Sequence, residues 1–348
     1  MGRQISASTI LEVLKQVRYP GHRDDIVSLG IIEDMSLGSG GAISITLREP
    51  AESDSATRAI VGQASALLTR EFGVKPEFKV RQIAPELGER TGRARIAGVR
   101  HVIAVASGKG GVGKSTVAAN LAAALSRLRH RVALLDTDIY GPSVPMMFGT
   151  GKARPPSPDG QHIYPIQKHG VSLISMGFFL TDQTPVIWRG PMVMGAVRQL
   201  LESTVWGEQD FLVIDLPPGT GDVQLTLGQI IELDGALIVT TPQDVALLDA
   251  ARAIRMFRQL HCPLLGIVEN MSYFECPDCG ERDDLFGSGG GERMAQGEHM
   301  ELLARLPLYP ALRESSDGGT PITCAMPEHP ASRAFMGLAE RVVELMPA

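Results

Sequence analysis

One short segment, GKGGVGKS at residues 108–115, constrains the fold and the chemistry of this chain more than any other feature. It satisfies the pattern G-x-x-x-x-G-K-[ST], follows a predicted strand at 102–106 and opens a predicted helix, which is the context that a phosphate-binding loop requires. Glycines let the backbone turn with its N–H groups facing inward, where Cβ atoms would crowd a phosphate. We therefore predict that ATP binds here, with Lys114 at the β- and γ-phosphates and the Ser115 hydroxyl at Mg²⁺; a glycine-rich turn without a ligand is the alternative. The predicted nucleotide contacts are Gly108, Gly110, Gly111, Val112, Gly113, Lys114, Ser115 and Thr116.

Short aliphatic runs alternate with helical segments from residue 99 to the end of the chain. Such alternation indicates an α/β domain with a doubly wound, mostly parallel sheet whose two faces are covered by helices. The predicted strands are Val102–Ala106, Val132–Leu135, Val171–Ser175, Leu212–Ile214, Ala236–Val239 and Leu264–Val268, and the predicted helices are Lys114–Arg129, Pro191–Ser203, Val245–Leu260 and Ala331–Met346.

The pattern of residues 1–82 predicts a separate small α+β domain. Residues 83–98 are predicted to be a linker, because they hold Pro85, Gly88 and Gly92 among five charges and show no hydrophobic period. In the small domain we expect a helix capped by Ser8, a strand at 26–32, a turn at 38–41, a helix from 53 or 54 to Gly73, and a strand at 75–80.

Two of the predicted strands end in acidic residues. Asp215 follows the run Phe211–Ile214, and Asp136-Thr137-Asp138 follows Val132–Leu135. In a parallel sheet the carboxyl ends of the strands face the ligand crevice. Asp215 is therefore predicted to point at Mg²⁺, directly or through water, although an acid after a strand can also serve as a turn or cap residue.

Lys109 is a second cation in the phosphate-binding loop. It cannot easily address the same phosphates as Lys114, so it is either a solvated loop charge or a group that reaches the phosphates of a neighbouring subunit, as an arginine finger does in trans.

Composition excludes several functional classes. The net charge is −6 and aromatic residues make up only 5%, so we expect neither nucleic-acid binding nor attraction to an anionic membrane. There is no run of 18 apolar residues, and residues 1–8 do not resemble a secretory signal, so a cytoplasmic location is expected. The final helix mixes Arg333 and Arg341 with acids and is predicted to pack in the core rather than on lipid.

Several contiguous motifs resemble one family. The two lysines at 109 and 114 are similar to the deviant P-loop of the class that includes nitrogenase iron protein, MinD and ParA. Within that class the chain resembles the Mrp-type iron–sulfur cluster carrier ATPases over about residues 99–330. The motifs that carry this resemblance are DTDIYGPS at 136–143, WRGP at 188–191, DLPPGTGD at 215–222 and ENMS at 269–272.

The resemblance implies a homodimer that forms with ATP, with Lys109 crossing to the partner's phosphates. It also implies that Asp138 lies in a first switch, near the attacking water, that residues 215–222 form a second switch, and that Asn270 contacts adenine. A strand-end cap is the alternative role of Asn270. Residues 1–82 are similar to the iron–sulfur assembly domain found in front of such proteins, but they contain no Cys, so we expect them to dock partners rather than ligate metal.

Cys276 and Cys279 form one C-x-x-C motif, and Cys262 and Cys324 have no motif spacing. One such motif supplies two thiolates, whereas a [4Fe–4S] cluster or tetrahedral Zn²⁺ takes four ligands. A two-fold axis would bring two copies of the motif together, so we predict a bridging [4Fe–4S] cluster between two chains, with Zn²⁺ as a substitute. A thioredoxin-type redox pair is disfavoured because Pro277, Asp278 and Gly280 favour a turn over a helix start.

The sequence thus predicts a carrier that passes clusters to apo iron–sulfur proteins, works with cluster-assembly factors and hydrolyses ATP slowly. Two alternatives share the nucleotide chemistry: a MinD/ParA-like positioning or partition switch, and an electron donor like nitrogenase iron protein.

Overall fold

The computed structural model of the chain describes residues 5–18, 25–27, 32–38, 42–50, 54–83, 93–151, 153–180, 190–219, 221–276 and 279–346. Outside these ranges lie the turn residues 39–41, most of the predicted linker (84–92), Trp188 and Arg189 of the WRGP motif, Thr220 of the second switch, and Pro277 and Asp278 of the C-x-x-C motif. The chain divides into two compact units, Met1–Thr91 and Gly92–Ala348.

The smaller unit has a three-stranded sheet in the order β1-β2-β3, in which β1 and β2 are antiparallel and β2 and β3 are parallel. Apolar side chains of α1, α2 and β2 form its core, including Ile10, Ile45 and Leu68. Its elements are α1 (Ala7–Leu14), β1 (Ile32–Leu37), β2 (Ile43–Pro50), α2 (Asp54–Phe72) and β3 (Glu77–Ile83).

Two details of this unit differ from the sequence-based prediction. Ser6 rather than Ser8 caps α1, because Ser6 Oγ accepts from the Thr9 N–H while Thr9 Oγ1 accepts from the Ser6 N–H. The first described strand, β1 at 32–37, begins where the predicted strand at 26–32 ends, and residues 28–31 of that prediction lie outside the described residues. Ile26 is buried, but its N–H bonds the Val17 carbonyl in the return after α1 instead of a sheet ladder.

The larger unit has an eight-stranded sheet in the order β13-β10-β9-β4-β8-β5-β7-β6, parallel throughout except for the short edge strand β6. This confirms the predicted doubly wound, mostly parallel fold. Its strands are β4 (Val99–Ser107), β5 (Val132–Asp136), β6 (Ile166–Lys168), β7 (Val171–Ser175), β8 (Gln209–Asp215), β9 (Gly235–Thr240), β10 (Leu264–Glu269) and β13 (Leu302–Arg305), with β11 (Phe274–Glu275) and β12 (Arg282–Asp283) forming a separate hairpin. Its helices are α3 (Lys114–Arg127), α4 (Val144–Met147), α5 (Gly190–Ser203), α6 (Asp222–Ile230), α7 (Asp244–Gln259), α8 (Gly290–Gly297), α9 (Pro310–Asp317), α10 (Ile322–Ala325) and α11 (Pro330–Leu345), with a 3₁₀ turn at Met176–Phe178.

Helices cover both faces of this sheet because alternate strand residues point to opposite sides. In β4, Ile103 and Val105 pack towards α3 and α11, whereas Val102, Ala104 and Ala106 pack towards α5 and α7. The predicted core packing of α11 is confirmed for most of its apolar side chains. Leu345 is the exception, since it is 36% exposed. Within the described residues, no helix is both long and apolar enough to cross a membrane.

Residues 93–98, which fall in the predicted linker, belong to the larger unit and pair with the end of its helix α6. The Ala94 N–H donates to the Ile230 carbonyl at 3.0 Å, and the Glu232 N–H donates to the Ala94 carbonyl at 3.1 Å. The Arg95 guanidinium also bonds the Glu232 carboxylate at 2.9 Å. This segment is therefore held along the end of α6.

Candidate nucleotide and thiol sites

The phosphate-binding loop joins β4 to the N-terminus of α3. Gly113 caps α3 with a φ of 80°, and Gly111 has a φ of 83°, a region that glycine enters at little cost. At Gly108 a Cβ atom would lie 2.0 Å from the backbone carbonyl carbon of Asp249 in α7, so only glycine fits there. The loop is thus shaped to present backbone N–H groups and the positive end of α3 to an anion.

Three of the predicted nucleotide and magnesium residues lie together. Lys114 Nζ is 2.5 Å from Asp215 Oδ1 and 3.1 Å from Ser115 Oγ. The Lys114 side chain is only 6% exposed, and Asp215 is fully buried. The lysine therefore pairs with the acid at the end of β8.

Asp136 and Asp215 are direct neighbours in the register of β5 and β8. Burial, and then the charge of Asp215, raise the pKa of Asp136 to about 7. Burial also raises the pKa of Asp215, while Lys114 opposes that rise. Two carboxylates and one ammonium therefore share a site from which water is largely excluded.

This donor set fits Mg²⁺. Asp215 Oδ2 is buried and has no hydrogen-bond partner among the described residues, and the Ser115 hydroxyl accepts from the same Lys114 ammonium that bonds Asp215 Oδ1. Magnesium binds through one or two carboxylates or hydroxyls together with waters and phosphate oxygens. Asp215 and Ser115 could therefore supply the protein's share of the magnesium ligands, while water and phosphate oxygens would supply the rest.

Asp138 lies in the loop that follows β5. The Asp136 carboxylate accepts from the Asp138 N–H at 3.0 Å, and Asp138 Oδ1 accepts from the N–H groups of Tyr140 and Gly141 at 3.1 and 3.2 Å. A cavity of about 450 Å³ opens beside this loop, lined by Asp138, Tyr140, Gly141, Pro217, Pro218, Gly221 and Gln224. The first and second predicted switches therefore meet at one cavity.

Lys109 lies one residue into the loop, and its ammonium makes no ion pair within the described ranges of the chain. Its carbonyl accepts a hydrogen bond from Ser107 Oγ at 2.9 Å, which holds the backbone while leaving the ammonium uncommitted. The trans role of Lys109 stays a prediction, and this geometry leaves the ammonium available for it.

Asn270 braces the phosphate loop. Its Nδ2 donates to the Val112 carbonyl at 2.8 Å, the residue is 3% exposed, and a Cβ on Gly113 would lie 2.2 Å from that nitrogen. Its predicted contact with adenine stays a prediction. The bracing contact was missed because nothing in the sequence pairs residue 270 with residue 112.

Glu269 is a second residue that sequence reasoning missed. Its carboxylate is buried and accepts from Ser272 Oγ and from the Gly291 N–H, both at 2.5 Å. The glycine run at 289–291 was the available signal, because a Cβ on Gly291 would lie 2.7 Å from Glu269 Oε2. Glu269 thereby fixes both the strand end and the start of α8.

Cys276 and Cys279 lie at the tip of the β11–β12 hairpin. The Cys276 N–H bonds the Glu281 carbonyl at 2.9 Å, and the Gly280 N–H, at a φ of 73°, bonds the Cys276 carbonyl at 2.8 Å. Cys279 is exposed and Cys276 is half-buried. This turn, rather than a helix start, agrees with the predicted loop and presents both thiols at the surface.

Cys276 and Cys279 share one turn, whereas Cys324, which is partly buried like Cys276, lies in α10. Cys262 is a packed thiol, as predicted, and burial raises its pKa to about 12. Burial also raises the pKa of Cys324. Across the described parts of the chain, no three His, Cys, Asp or Glu side chains converge to hold a metal ion. A four-ligand metal site at Cys276 and Cys279 therefore needs ligands from elsewhere.

Comparisons with known proteins agree with this picture. The model of the ParA-type family described as NUBPL iron-transfer P-loop NTPase matches residues 98–343. A protein of Haemophilus influenzae called iron-sulfur cluster carrier protein is 44% identical over 334 residues, which cover 96% of this chain and 90% of the relative.

Solved structures show the same fold. A nucleotide-binding protein of Archaeoglobus fulgidus in complex with ADP is 41% identical, with a TM-score of 0.58 over 65% of this chain and 88% of that one. The cell-division ATPase MinD of Pyrococcus furiosus is 26% identical, with a TM-score of 0.54 over 70% of this chain and 99% of that one, which is a relation of fold. The resemblance inferred from the two loop lysines and the motifs that follow is confirmed, and this chain belongs to the family of NUBPL iron-transfer P-loop NTPases.

Proposed function

We propose that this protein is an ATP-dependent carrier that holds an iron–sulfur cluster as cargo on a homodimer and passes it to apoproteins. The proposal rests on one observation: a single chain supplies only part of a cluster-binding site and only part of a phosphate-binding site. It offers two surface thiols at Cys276 and Cys279 where a cluster takes four, and one uncommitted loop cation at Lys109. Membership of a P-loop NTPase family and relatives called iron-sulfur cluster carrier proteins support it.

The cargo we propose is a [4Fe–4S] cluster bound by Cys276 and Cys279 of each of two chains. Both thiols sit on a two-stranded hairpin that Leu308 anchors through a 2.7 Å bond to the Tyr273 carbonyl. A symmetric contact between two such tips would supply four thiolates without any further residue. Zn²⁺ is the substitute that the same tetrahedral thiolate set would accept.

ATP would bind along the loop at 108–116, with its adenine near Asn270. The Lys114 ammonium would move from Asp215 to the β- and γ-phosphates, and Ser115 and Asp215 would hold Mg²⁺. Bound Mg²⁺ would neutralise charge that develops on the phosphate oxygens. Lys109 would reach the phosphates of the partner, so that hydrolysis depends on dimer closure, and Asp138 would orient the attacking water.

The recipients would be apo iron–sulfur proteins, with cluster-assembly factors as donors and the cytoplasm as the place of work. The smaller unit has no Cys, so we assign it to partner docking. Neither nucleic acid nor a membrane is a proposed partner, in keeping with the net charge of −6.

Anaerobic reconstitution with iron and sulfide tests the cargo. The wild type should yield roughly one four-iron cluster per two chains, with matching acid-labile sulfide. Cys276→Ala and Cys279→Ala should each lose the cluster and the cluster-bridged dimer, while Cys324→Ala serves as a control that retains both. Full cluster content in the first two variants would overturn the ligand assignment, and metal without sulfide would indicate Zn²⁺ binding instead.

Nucleotide assays test the second half of the proposal. Lys114→Ala should abolish ATP binding, whereas Lys109→Ala should bind ATP and lose turnover and dimer closure. Equal ATPase rates in Lys109→Ala and wild type would refute the trans role. A positioning or partition switch would instead show ATP-dependent sedimentation with lipid vesicles or DNA that persists when both cysteines are replaced.

A further inference from the structure

Gln224 lines a cavity, and one of its two polar side-chain atoms has no hydrogen-bond partner in the described part of the chain. It is only 1% exposed, and it lines the cavity where the first and second switches meet. Its Nε2 donates to the Pro217 carbonyl at 2.6 Å, but its Oε1 is buried without a hydrogen-bond partner among the described residues. A buried amide oxygen without a donor is unfavourable, so such a group in a ligand cavity points to a donor that arrives with the ligand.

The fixed nitrogen determines where the oxygen lies. Gln224 is in the first turn of α6, and its bond to Pro217 spans the loop between β8 and α6. Because Nε2 is held, Oε1 keeps one orientation relative to that loop. Oε1 itself is buried, so a donor in the cavity can reach it only if the side chain or the loop at Pro217 moves.

The cavity lies beside the phosphate loop. Pro218 forms part of its wall, and a Cβ on Gly110 would lie 3.8 Å from the Pro218 Cβ. The Gly219 N–H also bonds the Ser107 carbonyl at 3.1 Å, which ties the same loop to the end of β4. A γ-phosphate held by the loop would therefore face this cavity.

Few lining side chains can accept a hydrogen bond from water. Pro217, Pro218 and the two glycines contribute no polar side chain, which leaves the Asp138 carboxylate, the Tyr140 hydroxyl and the Gln224 amide. Tyr140 is 79% exposed and belongs to the outer rim. Among these side chains, a water in the cavity would thus have one acceptor from each switch for its two protons: the Asp138 carboxylate and, once Oε1 is uncovered, the Gln224 amide.

We propose that Gln224 is a second catalytic residue for ATP hydrolysis, which holds the attacking water against the γ-phosphate together with Asp138. The water oxygen forms a bond to the γ-phosphorus while the bond from that phosphorus to the β,γ-bridging oxygen breaks. ADP leaves with the electron pair, and the proton of the water that faces Asp138 passes through that carboxylate to the released phosphate. The proton that faces Gln224 Oε1 stays on the attacking oxygen, so the amide positions the water without changing its own protonation.

The test compares Gln224→Met and Gln224→Ala with wild type in steady-state ATPase assays on the full chain. Methionine keeps the length of the side chain and lacks the acceptor. Gln209→Met is the matched control, because Gln209 is also buried and donates to a backbone carbonyl, that of Trp206 at 2.8 Å, at the opposite end of β8. We expect kcat to fall by about 10²-fold in the Gln224 variants with little change in KM, and no such fall in the control.

A second measurement distinguishes a residue that positions the attacking water from one that only shapes the nucleotide site. Affinity for ADP alone should be unchanged in Gln224→Met, whereas affinity for ADP with aluminium fluoride, which mimics the transferring phosphoryl group, should fall. Wild-type turnover in Gln224→Met overturns the inference. So does a loss of ADP affinity as large as the loss of turnover, because it would mean that the residue only shapes the site.

This inference rests on the proposed ATP hydrolysis but fails separately from the proposed carrier function. Cluster content after anaerobic reconstitution should be the same in Gln224→Met and wild type. A variant with normal turnover and a normal cluster would remove Gln224 from the mechanism and leave the carrier intact. A wild-type protein that hydrolyses no ATP would instead contradict the proposed function itself.

Discussion

Lys114→Met should destabilise the nucleotide-free protein more than Asp215→Asn does, although the two residues form one ion pair. Replacing Lys114 leaves the buried carboxylates of Asp215 and Asp136 facing each other without a cation. Breaking a buried pair by removing one partner costs about 3–5 kcal/mol, because the remaining charge stays buried. Asp215→Asn keeps an acceptor for the lysine and leaves Asp136 as its counter-charge, so it should cost about 2 kcal/mol, the range for a hydrogen bond to a charged group.

The difference in unfolding free energy between Lys114→Met and Asp215→Asn should depend on pH. Asp136 has a pKa raised to about 7 by burial and by Asp215, and burial also raises the pKa of Asp215. A carboxyl with a raised pKa binds its proton more tightly in the folded state, so its ionisation lowers stability as the pH rises towards and through that pKa. Lys114→Met should therefore lose more unfolding free energy than Asp215→Asn at pH 8. This difference should shrink at pH 5.5, where the two carboxyl groups take up protons.

The assay is urea unfolding without nucleotide and with EDTA, followed by tryptophan fluorescence. Both tryptophans, Trp188 and Trp206, belong to the larger unit, so the signal reports on the unit that holds the pair. Asp210→Asn, which breaks the more exposed Arg131–Asp210 pair on the same strand, controls for charge removal and should cost no more than about 1 kcal/mol. Equal losses for Lys114→Met and Asp215→Asn at pH 8, or a difference that pH leaves unchanged, would refute the reasoning.

Three further predictions concern the same region. The unfolding free energy of the wild type should fall as the pH rises from about 5 to 8, with the sign expected for a raised carboxyl pKa, and Asp136→Asn should flatten that dependence in urea titrations at several pH values. Gly113→Ala should abolish ATP binding in calorimetry, because a side chain at a φ of 80° would also meet Asn270 Nδ2 at 2.2 Å; retained affinity would contradict the observed loop geometry. Asn270→Ala should cost about 1–3 kcal/mol in urea unfolding, since it leaves the Val112 carbonyl without its buried donor; an unchanged midpoint would show that water replaces the amide.

The larger unit follows closely from local sequence patterns. The runs at 132–135, 171–175 and 264–268 lie within or match β5, β7 and β10, because strands buried on both faces are continuous aliphatic stretches. The edge strands β6 and β13 were not predicted. They are three and four residues long and only partly buried, so they lack the hydrophobic signal that marks the central strands.

The candidate site was predictable in its residues but not in its contacts. The loop pattern and the acids at strand ends placed Lys114, Ser115 and Asp215 in one site. The pairing of Lys114 with Asp215, the brace from Asn270 to Val112 and the orphaned oxygen of Gln224 depend on residues far apart in the chain. Such contacts follow from tertiary packing, and the hydrophobic periodicity of a local stretch of sequence does not predict them.

A short stretch of chain joins Asn270, which contacts the phosphate loop, to Cys276. Cys276 follows Asn270 by six positions, a stretch that spans about 20 Å at most when fully extended. It is fastened near both ends, by the Asn270 amide at the loop and by the hairpin's bond to Leu308, and in the middle by the Ser272 N–H on the Leu306 carbonyl. Because this segment is short and hydrogen-bonded at three points, we expect a displacement of residue 112 to shift Cys276 as well.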